Sequence, residues 1–308
     1  MEQFLIDSRD MKSRLQAYEW TPKKEARAVL IAVHGMSEHM LRYSEMAEYM
    51  NARQIVFAGV DLLGHGKSAP DEDSLGYFCE RDAATVAVRD VHRLKKTVQD
   101  KYPGVPVFLF GHSMGSYIAR NYIERYGTGI NGVILQGGGE NSAFKLAFGK
   151  GFLNLVGLIR GEHFRSRVCT AMTLGSYITS VKGDSPNAWI AKRSEVVKKY
   201  DEDPLSGFIF TVNGYKTLLE FCSRSRDKKL LGSIPKSLPM LIVSGQEDPV
   251  GEFGKGVNRV SELYRGLGLT DVEMKLIPNA RHEIHNEEMR YEVFDVYVDF
   301  IMKNLQCS

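Results

Sequence analysis

Residues 105–120 read Val-Pro-Val-Phe-Leu-Phe-Gly-His-Ser-Met-Gly-Ser-Tyr-Ile-Ala-Arg, the pattern of a strand, a sharp turn and a helix. The apolar run Val105–Phe110 predicts the strand, and Ser116–Tyr126 predicts the helix. Gly111-His-Ser-Met-Gly115 lies between them and has the form G-x-S-x-G. In so tight a turn, side chains at both glycine positions would collide, and the serine hydroxyl is exposed at the carboxyl edge of the sheet. Ser113 is therefore the candidate nucleophile.

Outside this turn, short apolar runs alternate with longer helical patterns. Runs without polar alternation are typical of strands that helices cover on both faces. The other predicted strands are a hairpin of Gln3–Asp7 and Leu15–Glu19, followed by Ala28–Val33, Gln54–Val60, Asn131–Leu135, Pro239–Val243 and Asp271–Ile277. The other predicted helices are Arg81–Tyr102 and Arg290–Leu305. This alternation predicts an α/β fold with a mostly parallel central sheet flanked by helices.

The alternation stops between residues 140 and 207. We interpret residues 1–139 and 208–308 as one core and residues 140–207 as a helical cap inserted after the sixth strand. Apolar residues at helical spacing fit either a plain core helix or a lid over an acyl-chain tunnel: Phe144, Phe148, Phe152, Leu155 and Ile159. The nearby basic residues fit either a solvated face or a surface for anionic membranes: Lys145, Lys150, Arg160, Arg165 and Arg167.

A serine hydroxyl needs a base, and the base needs an orienting carboxylate. On this kind of sheet the acid and then the histidine follow the serine, in loops after later strands. Asp248 follows the strand Pro239–Val243, and His282 follows the strand Asp271–Ile277. Glu247 is the alternative acid, but Pro249 stiffens the turn that holds Asp248. His285 is the alternative base, but it lies further from its strand.

An oxyanion that forms during attack on a carbonyl needs two backbone N–H donors. We expect one from Met114, the residue after the nucleophile. The other is expected from Met36, because Gly35 lets the loop after the strand Ala28–Val33 turn inward. This loop reads His-Gly-Met-Ser rather than the His-Gly-Gly-Gly of many lipases.

The composition excludes several classes of protein. The 308 residues include 40 basic and 38 acidic ones, and this balance lacks the positive excess that non-specific nucleic-acid binding needs. No apolar run approaches the roughly 20 residues of a membrane-spanning helix, and the acidic N-terminus is unlike a secretory signal. The scattered cysteines, Cys79, Cys169, Cys222 and Cys307, form no disulfide or redox pattern. We therefore expect a cytoplasmic globular protein.

Two other motifs are set aside. Gly64-His-Gly-Lys-Ser68 resembles part of a phosphate loop, but Asp61 occupies the position of the first Walker glycine. The same stretch, as Gly64-x-Gly66-x-x-Ala69, also fits a dinucleotide fingerprint, but an acidic loop follows it instead of a helix. His282-Glu-Ile-His285 has its histidines three apart, and no third zinc ligand is evident. We therefore expect neither a nucleotide cofactor nor a metal.

Five blocks together resemble the α/β-hydrolases of the monoacylglycerol lipase and lysophospholipase type, also called serine aminopeptidase-like. They are His34–Tyr43, Asp61–Ser68, Gly111–Gly115, Gly245–Pro249 and Asn279–His282. The resemblance implies an α/β-hydrolase fold, with Ser113, Asp248 and His282 as nucleophile, acid and base and with Met36 and Met114 at the oxyanion. It also implies that Glu38, His39, Arg42, Tyr43 and Asp61–Ser68 support the oxyanion loop.

These residues predict hydrolysis of a carboxylic ester through an acyl-enzyme, with a monoglyceride or a lysophospholipid as substrate. One alternative is an aminopeptidase or amidase, in which Glu140 or Glu162 would hold the substrate's amino group. A second alternative is a non-catalytic receptor for a small molecule. Receptors on this fold tolerate loss of triad members, whereas all three are present here.

Overall fold

The computed structural model describes residues 1–140 and 142–305, so Cys307 lies outside the described residues. Its centre is an eight-stranded sheet in the order β1-β2-β4-β3-β5-β6-β7-β8. The strands are β1 Glu2–Asp7, β2 Arg14–Trp20, β3 Ala28–Val33, β4 Ile55–Val60, β5 Val107–His112, β6 Gly132–Gln136, β7 Met240–Gly245 and β8 Val272–Ile277. Strands β3 to β8 pair in parallel, and the hairpin β1–β2 adds an antiparallel edge. The predicted fold class is confirmed.

Helices cover both faces of this sheet. They are α1 Ser44–Ala52, α2 Ala83–Lys101, α3 Met114–Tyr126, α4 Ala143–Arg160, α5 Arg167–Ser180, α6 Ser194–Glu202, α7 Val212–Arg224, α8 Lys228–Leu231, α9 Lys255–Gly266 and α10 Arg290–Lys303. On one face, Val29 and Ile31 of β3 pack with residues of α2, α3 and α9. On the other, Leu30 and Ala32 pack with residues of α1 and α10. Every residue of β3 is buried, which explains why its sequence shows no polar alternation.

Most predicted elements are present, with their ends displaced by one or two residues. The sequence patterns did not indicate α1, α7, α8 or α9. In α9 the buried residues Val257, Val260 and Tyr264 do have helical spacing, so its signal was available. None of the described helices is both long and apolar enough to cross a membrane.

The cap, as defined from the sequence (residues 140–207), contains α4, α5 and α6. The core interpretation of its apolar stripe was wrong. Phe144 is 79% exposed and Ile159 is 69% exposed, whereas the buried residues of α4 are Leu146 and Leu153. A single amphipathic pattern could not reveal this, because α4 has apolar residues on much of its circumference.

Not all basic residues of the cap point freely into solvent, because two of them bond to other parts of the chain. Lys150 forms an ion pair with Glu220. Arg165 donates hydrogen bonds to backbone carbonyls of Ile209, Glu72 and Asp73. Arg165 thus joins the cap to the loop before α2.

Candidate active site

Ser113 stands at the turn between β5 and α3 in a left-handed backbone conformation, with φ 53° and ψ −118°. A Cβ atom at Gly111 would lie 2.2 Å from the Gly115 carbonyl oxygen, and one at Gly115 would lie 2.1 Å from the Val33 carbonyl oxygen. Both positions therefore exclude side chains, as the sequence predicts. Strain of this kind in a non-glycine residue is typical of functional sites.

Asp248 and His282 follow β7 and β8, and the structure brings them into contact. His282 Nδ1 lies 3.0 and 3.1 Å from the two Asp248 carboxylate oxygens. The Ser244 hydroxyl and the Val250 N–H also donate to this buried carboxylate, at 2.8 and 2.9 Å. Burial lowers the pKa of His282, but the Asp248 carboxylate outweighs burial and raises this pKa above its ordinary value of 6.5.

Ser113 and His282 line one cavity of about 920 Å³ between the carboxyl edge of the sheet and the cap. Met36 and Met114 line it as well. Among the described residues, neither methionine N–H has a hydrogen-bond acceptor. The cap contributes an apolar wall that includes Leu146, Phe152, Leu153, Met172, Ile178 and Trp189. The cavity thus combines a polar floor with an apolar wall.

The two alternatives for the acid and the base lie elsewhere. Glu247 is half-buried and forms an ion pair with Lys192. His285 is buried, and its Nδ1 lies 2.8 Å from the Gln136 amide nitrogen. Its ring stacks on the Tyr43 ring. Burial lowers the pKa of His285 to about 4. Among the described residues, neither side chain lines the cavity.

A buried ion network supports the loop that carries Met36. Glu38 accepts hydrogen bonds from the Gly35 N–H at 2.5 Å and from the Tyr43 hydroxyl at 2.8 Å. Arg42 donates to Glu38 at 2.6 Å and to both carboxylate oxygens of Glu283 at 2.7 Å. Because Glu283 adjoins His282, this network ties the Met36 loop to the histidine loop.

The Asp61 carboxylate fixes the far end of the same loop. It accepts hydrogen bonds from the N–H groups of Met40 and Lys67, at 2.8 and 2.9 Å, and from the Tyr18 hydroxyl at 3.0 Å. A Cβ at Gly66 would lie 2.2 Å from this carboxylate. Gly66 is therefore explained by its close approach to Asp61, whereas a Cβ at Gly64 would lie 2.2 Å from the Tyr77 carbonyl oxygen.

Sequence reasoning missed two neighbours of the site. The Gln136 amide lies 2.8 Å from Nδ1 of both His112 and His285, and the Tyr297 hydroxyl donates to its Oε1 at 2.6 Å. The Trp189 ring lies 5.1 Å from the His282 ring. Gln136 did carry a signal, as a polar residue at the end of a buried strand. Trp189 carried none, because it comes from the cap.

The aminopeptidase alternative requires Glu140 or Glu162, and both carboxylates form ion pairs with basic side chains. Glu140 forms ion pairs with Arg120 and Arg226, and Glu162 forms one with Lys216. A carboxylate already paired in this way offers little to a substrate's ammonium group. This observation does not favour the aminopeptidase alternative.

Comparison with known proteins identifies the family of this chain. The family model described as serine aminopeptidase, S33 matches residues 24–289. The chain belongs to this family. The predicted resemblance, and with it the α/β-hydrolase fold, is confirmed.

Similar proteins of known sequence include a monoacylglycerol lipase of Mycolicibacterium smegmatis, 26% identical over 93% of this chain and 92% of that protein. Human monoglyceride lipase is 28% identical over 87% of this chain and 79% of that protein. Among solved structures, a thermostable carboxyl esterase from Bacillus coagulans in complex with glycerol has a TM-score of 0.92 at 29% identity, and the match covers 99% of this chain and 98% of that one. A lipase in its open form has a TM-score of 0.90 at 26% identity, with 99% of both chains covered.

Proposed function

We propose that this family member is a serine hydrolase that cleaves carboxylic esters through an acyl-enzyme on Ser113. The observation that carries the proposal is the floor of the cavity. There Ser113, the Asp248-bonded His282, Met36 and Met114 line one cavity, and the two methionine N–H groups have no hydrogen-bond acceptor among the described residues. The lipase and esterase names of the similar proteins support the ester class.

In the first half of the reaction, His282 Nε2 accepts the hydroxyl proton as Ser113 Oγ attacks the ester carbonyl carbon. The Asp248 carboxylate stabilises the imidazolium that forms. The Met36 and Met114 N–H groups donate to the developing oxyanion, and losing one such donor typically costs about 100- to 1,000-fold in rate. The bond to the alcohol then breaks, and the alcohol oxygen takes the proton from His282.

In the second half, water attacks the acyl carbon and gives its proton to His282. The bond between the acyl carbon and Ser113 Oγ breaks, the serine recovers its proton, and a carboxylic acid leaves. Because each step uses Ser113, His282 and backbone donors, the proposal assigns no role to a metal or an organic cofactor.

The substrate we propose is a monoglyceride or a lysophospholipid with a medium or long acyl chain. The cavity of about 920 Å³ is large for a small ester but lies within the range of drug-sized ligand sites. Its cap wall is apolar, so that a chain would gain free energy by leaving water. The names of the monoglyceride lipases similar to this chain support this choice.

We also propose transient contact between the cap and anionic membranes. The exposed apolar residues of α4 include Phe144, Leu158 and Ile159. Lys145 and Arg160 lie on the same helix. A helix surface that combines apolar and basic residues is typical of interfacial binding, and such contact would bring lipid substrates to the cavity.

The test measures kcat/KM on p-nitrophenyl esters from acetyl to palmitoyl, with Ser113→Ala as the control variant. We expect a maximum at octanoyl or longer and a loss of about a million-fold in Ser113→Ala, the loss known from another serine hydrolase. A maximum at acetyl or butyryl would contradict the acyl-chain proposal. Substantial activity in folded Ser113→Ala would contradict Ser113 as the nucleophile.

A further inference from the structure

Ser37, the residue after the proposed oxyanion donor Met36, makes three hydrogen bonds with the last residues of the cap and with Phe208, which directly follows the cap. Its carbonyl oxygen accepts hydrogen bonds from the Gly207 N–H at 2.9 Å and from the Tyr200 hydroxyl at 3.1 Å. Its hydroxyl donates to the Phe208 carbonyl at 2.8 Å. Ser37 and Tyr200 are both buried, so these hydrogen bonds are shielded from competing water.

The same part of the cap holds a second residue of this loop. His39 Nε2 lies 2.7 Å from Asp203 Oδ2. Asp203 is itself fixed, because the Ser206 hydroxyl and the Leu205 N–H donate to its carboxylate at 2.7 and 3.0 Å. We call residues 200–208, from the end of α6 to Phe208, the clasp.

The residues before and after Met36 are both held by hydrogen bonds. The Gly35 N–H donates to the Glu38 carboxylate, which Arg42 in turn binds, and the clasp holds Ser37. Met36 lies between these two anchors. Ser37 also has a left-handed φ of 53°, a conformation that a non-glycine residue keeps only when its surroundings over-determine it. The hydrogen bonds of the clasp to Ser37 hold it in this conformation.

Tyr200 further connects the clasp to the buried ion network. The Arg42 guanidinium lies 4.8 Å from the centre of its ring, within the range of a cation–π contact. Arg42 in turn bonds Glu38 and Glu283. One tyrosine therefore contacts both supports of the oxyanion loop.

We infer that the clasp, and Tyr200 above all, positions the Met36 N–H, so that the oxyanion hole is complete only when this part of the cap is seated on the core. Tyr200 is then a positioning residue and not a catalytic one. The inference rests on the proposed function. On this inference the cap affects kcat as well as the choice of substrate.

The test compares Tyr200→Phe with Tyr122→Phe. Tyr122 is also buried, and its hydroxyl also makes a hydrogen bond of 3.1 Å, but to His92 between α2 and α3. In Tyr200→Phe we expect kcat on a short ester to fall about 3- to 10-fold, the worth of one neutral hydrogen bond, with KM unchanged. Tyr122→Phe should keep the kcat of the wild type.

Inhibitor affinities distinguish a positioning role of Tyr200 from a purely structural one. A purely structural role would not change the affinity for one inhibitor relative to the other. An alkyl trifluoromethyl ketone forms a tetrahedral adduct with an oxyanion, whereas the alcohol of the same chain length only fills the cavity. Tyr200→Phe should lower the affinity for the ketone by the same factor by which kcat falls. The affinity for the alcohol should stay unchanged. If Tyr200→Phe does not fold, Ser37→Ala removes the Phe208 bond and should show the same selective loss.

An unchanged kcat in Tyr200→Phe, or an equal loss of affinity for both inhibitors, would overturn the inference. The proposed function has its own separate outcome. If Ser113→Ala is inactive and Tyr200→Phe matches the wild type, only the positioning role fails. If folded Ser113→Ala remains active, the proposed function itself fails.

Discussion

Helix α3, which directly follows Ser113, and the cap helix α4 face the same cavity but differ greatly in how they are packed. Eleven of the 13 residues of α3 are buried, whereas α4 buries two of its 18. Helix α3 is held between the sheet and its neighbours, while much of α4 faces solvent. The comparison indicates a division of labour. The proposed reacting groups stand on a tightly packed frame. The proposed acyl-chain wall stands on a layer with few buried residues, which can differ without disturbing that frame.

We expect the largest loss of activity from substitutions of the proposed acid and base, because both lie on the core side of the cavity. We expect His282→Gln to lower kcat/KM about a million-fold and Asp248→Asn about ten-thousand-fold, following the losses known for another triad. Steady-state kinetics on one p-nitrophenyl ester measure both. Glu247→Gln is the matched control, because Glu247 pairs with Lys192 and does not line the cavity. A loss in the control as large as in Asp248→Asn would contradict the assignment of the acid.

The pH dependence of kcat/KM tests the electrostatics of the same frame. His282 must be neutral to accept a proton, and the Asp248 carboxylate raises its pKa above 6.5. Activity should therefore be lost as pH falls, with a midpoint above 6.5 and a tenfold loss per pH unit below it. One ionisation should suffice, because burial lowers the pKa of His112 far below that of an ordinary histidine and that of His285 to about 4. A midpoint below 6.5 in constant ionic strength would contradict this account.

A bulky residue in the cap should change substrate choice and leave the chemistry intact. Leu153 is buried in α4 and lines the cavity. We expect Leu153→Trp to lower kcat/KM about tenfold or more on palmitoyl esters, because the indole would take up part of the cavity that a long acyl chain fills and each methylene excluded from an apolar pocket typically costs about 1–3 kcal/mol. Activity on acetyl esters should persist. Asn154→Trp, an exposed position on the same helix, is the control and should leave the chain-length profile unchanged. Equal losses on both esters in Leu153→Trp would contradict the division of labour.

The smallest expected effect concerns the outer surface of the cap. Leu158 is 85% exposed, and Leu158→Asp removes apolar area and adds a negative charge. Binding to anionic phospholipid vesicles, measured by sedimentation, should weaken by about fivefold. Met11→Asp changes another exposed apolar residue, 83% exposed in the β1–β2 turn, and should bind as the wild type does. Equal weakening in both variants would show that net charge, rather than the cap, controls vesicle binding.

How far the sequence could predict each region follows from the same difference in packing. In the core, the strand–turn–helix pattern around Ser113 and the strand ends before Asp248 and His282 are local signals, and parallel strands bring their carboxyl ends to one edge. The contact between His282 and Asp248 is therefore foreseeable, although a sequence alone gives no distance.

The cap offers no such rule. Whether Phe148 faces solvent or Trp189 faces His282 depends on how α4 to α6 dock, and apolar residues on much of a helix's circumference do not specify a face. The contacts of Tyr200 and Gly207 with Ser37 join residues more than 160 positions apart. No local pattern marks either partner, so these contacts became visible only in the folded chain.

The most direct test of the central claim is to locate the nucleophile by covalent labelling. We would treat the protein with an alkyl fluorophosphonate, which reacts with activated serines, and identify the modified peptide by mass spectrometry. The account predicts a single adduct, on Ser113, with complete loss of esterase activity and no adduct in His282→Gln. Labelling of a different residue, or full ester hydrolysis after stoichiometric labelling of Ser113, would contradict it.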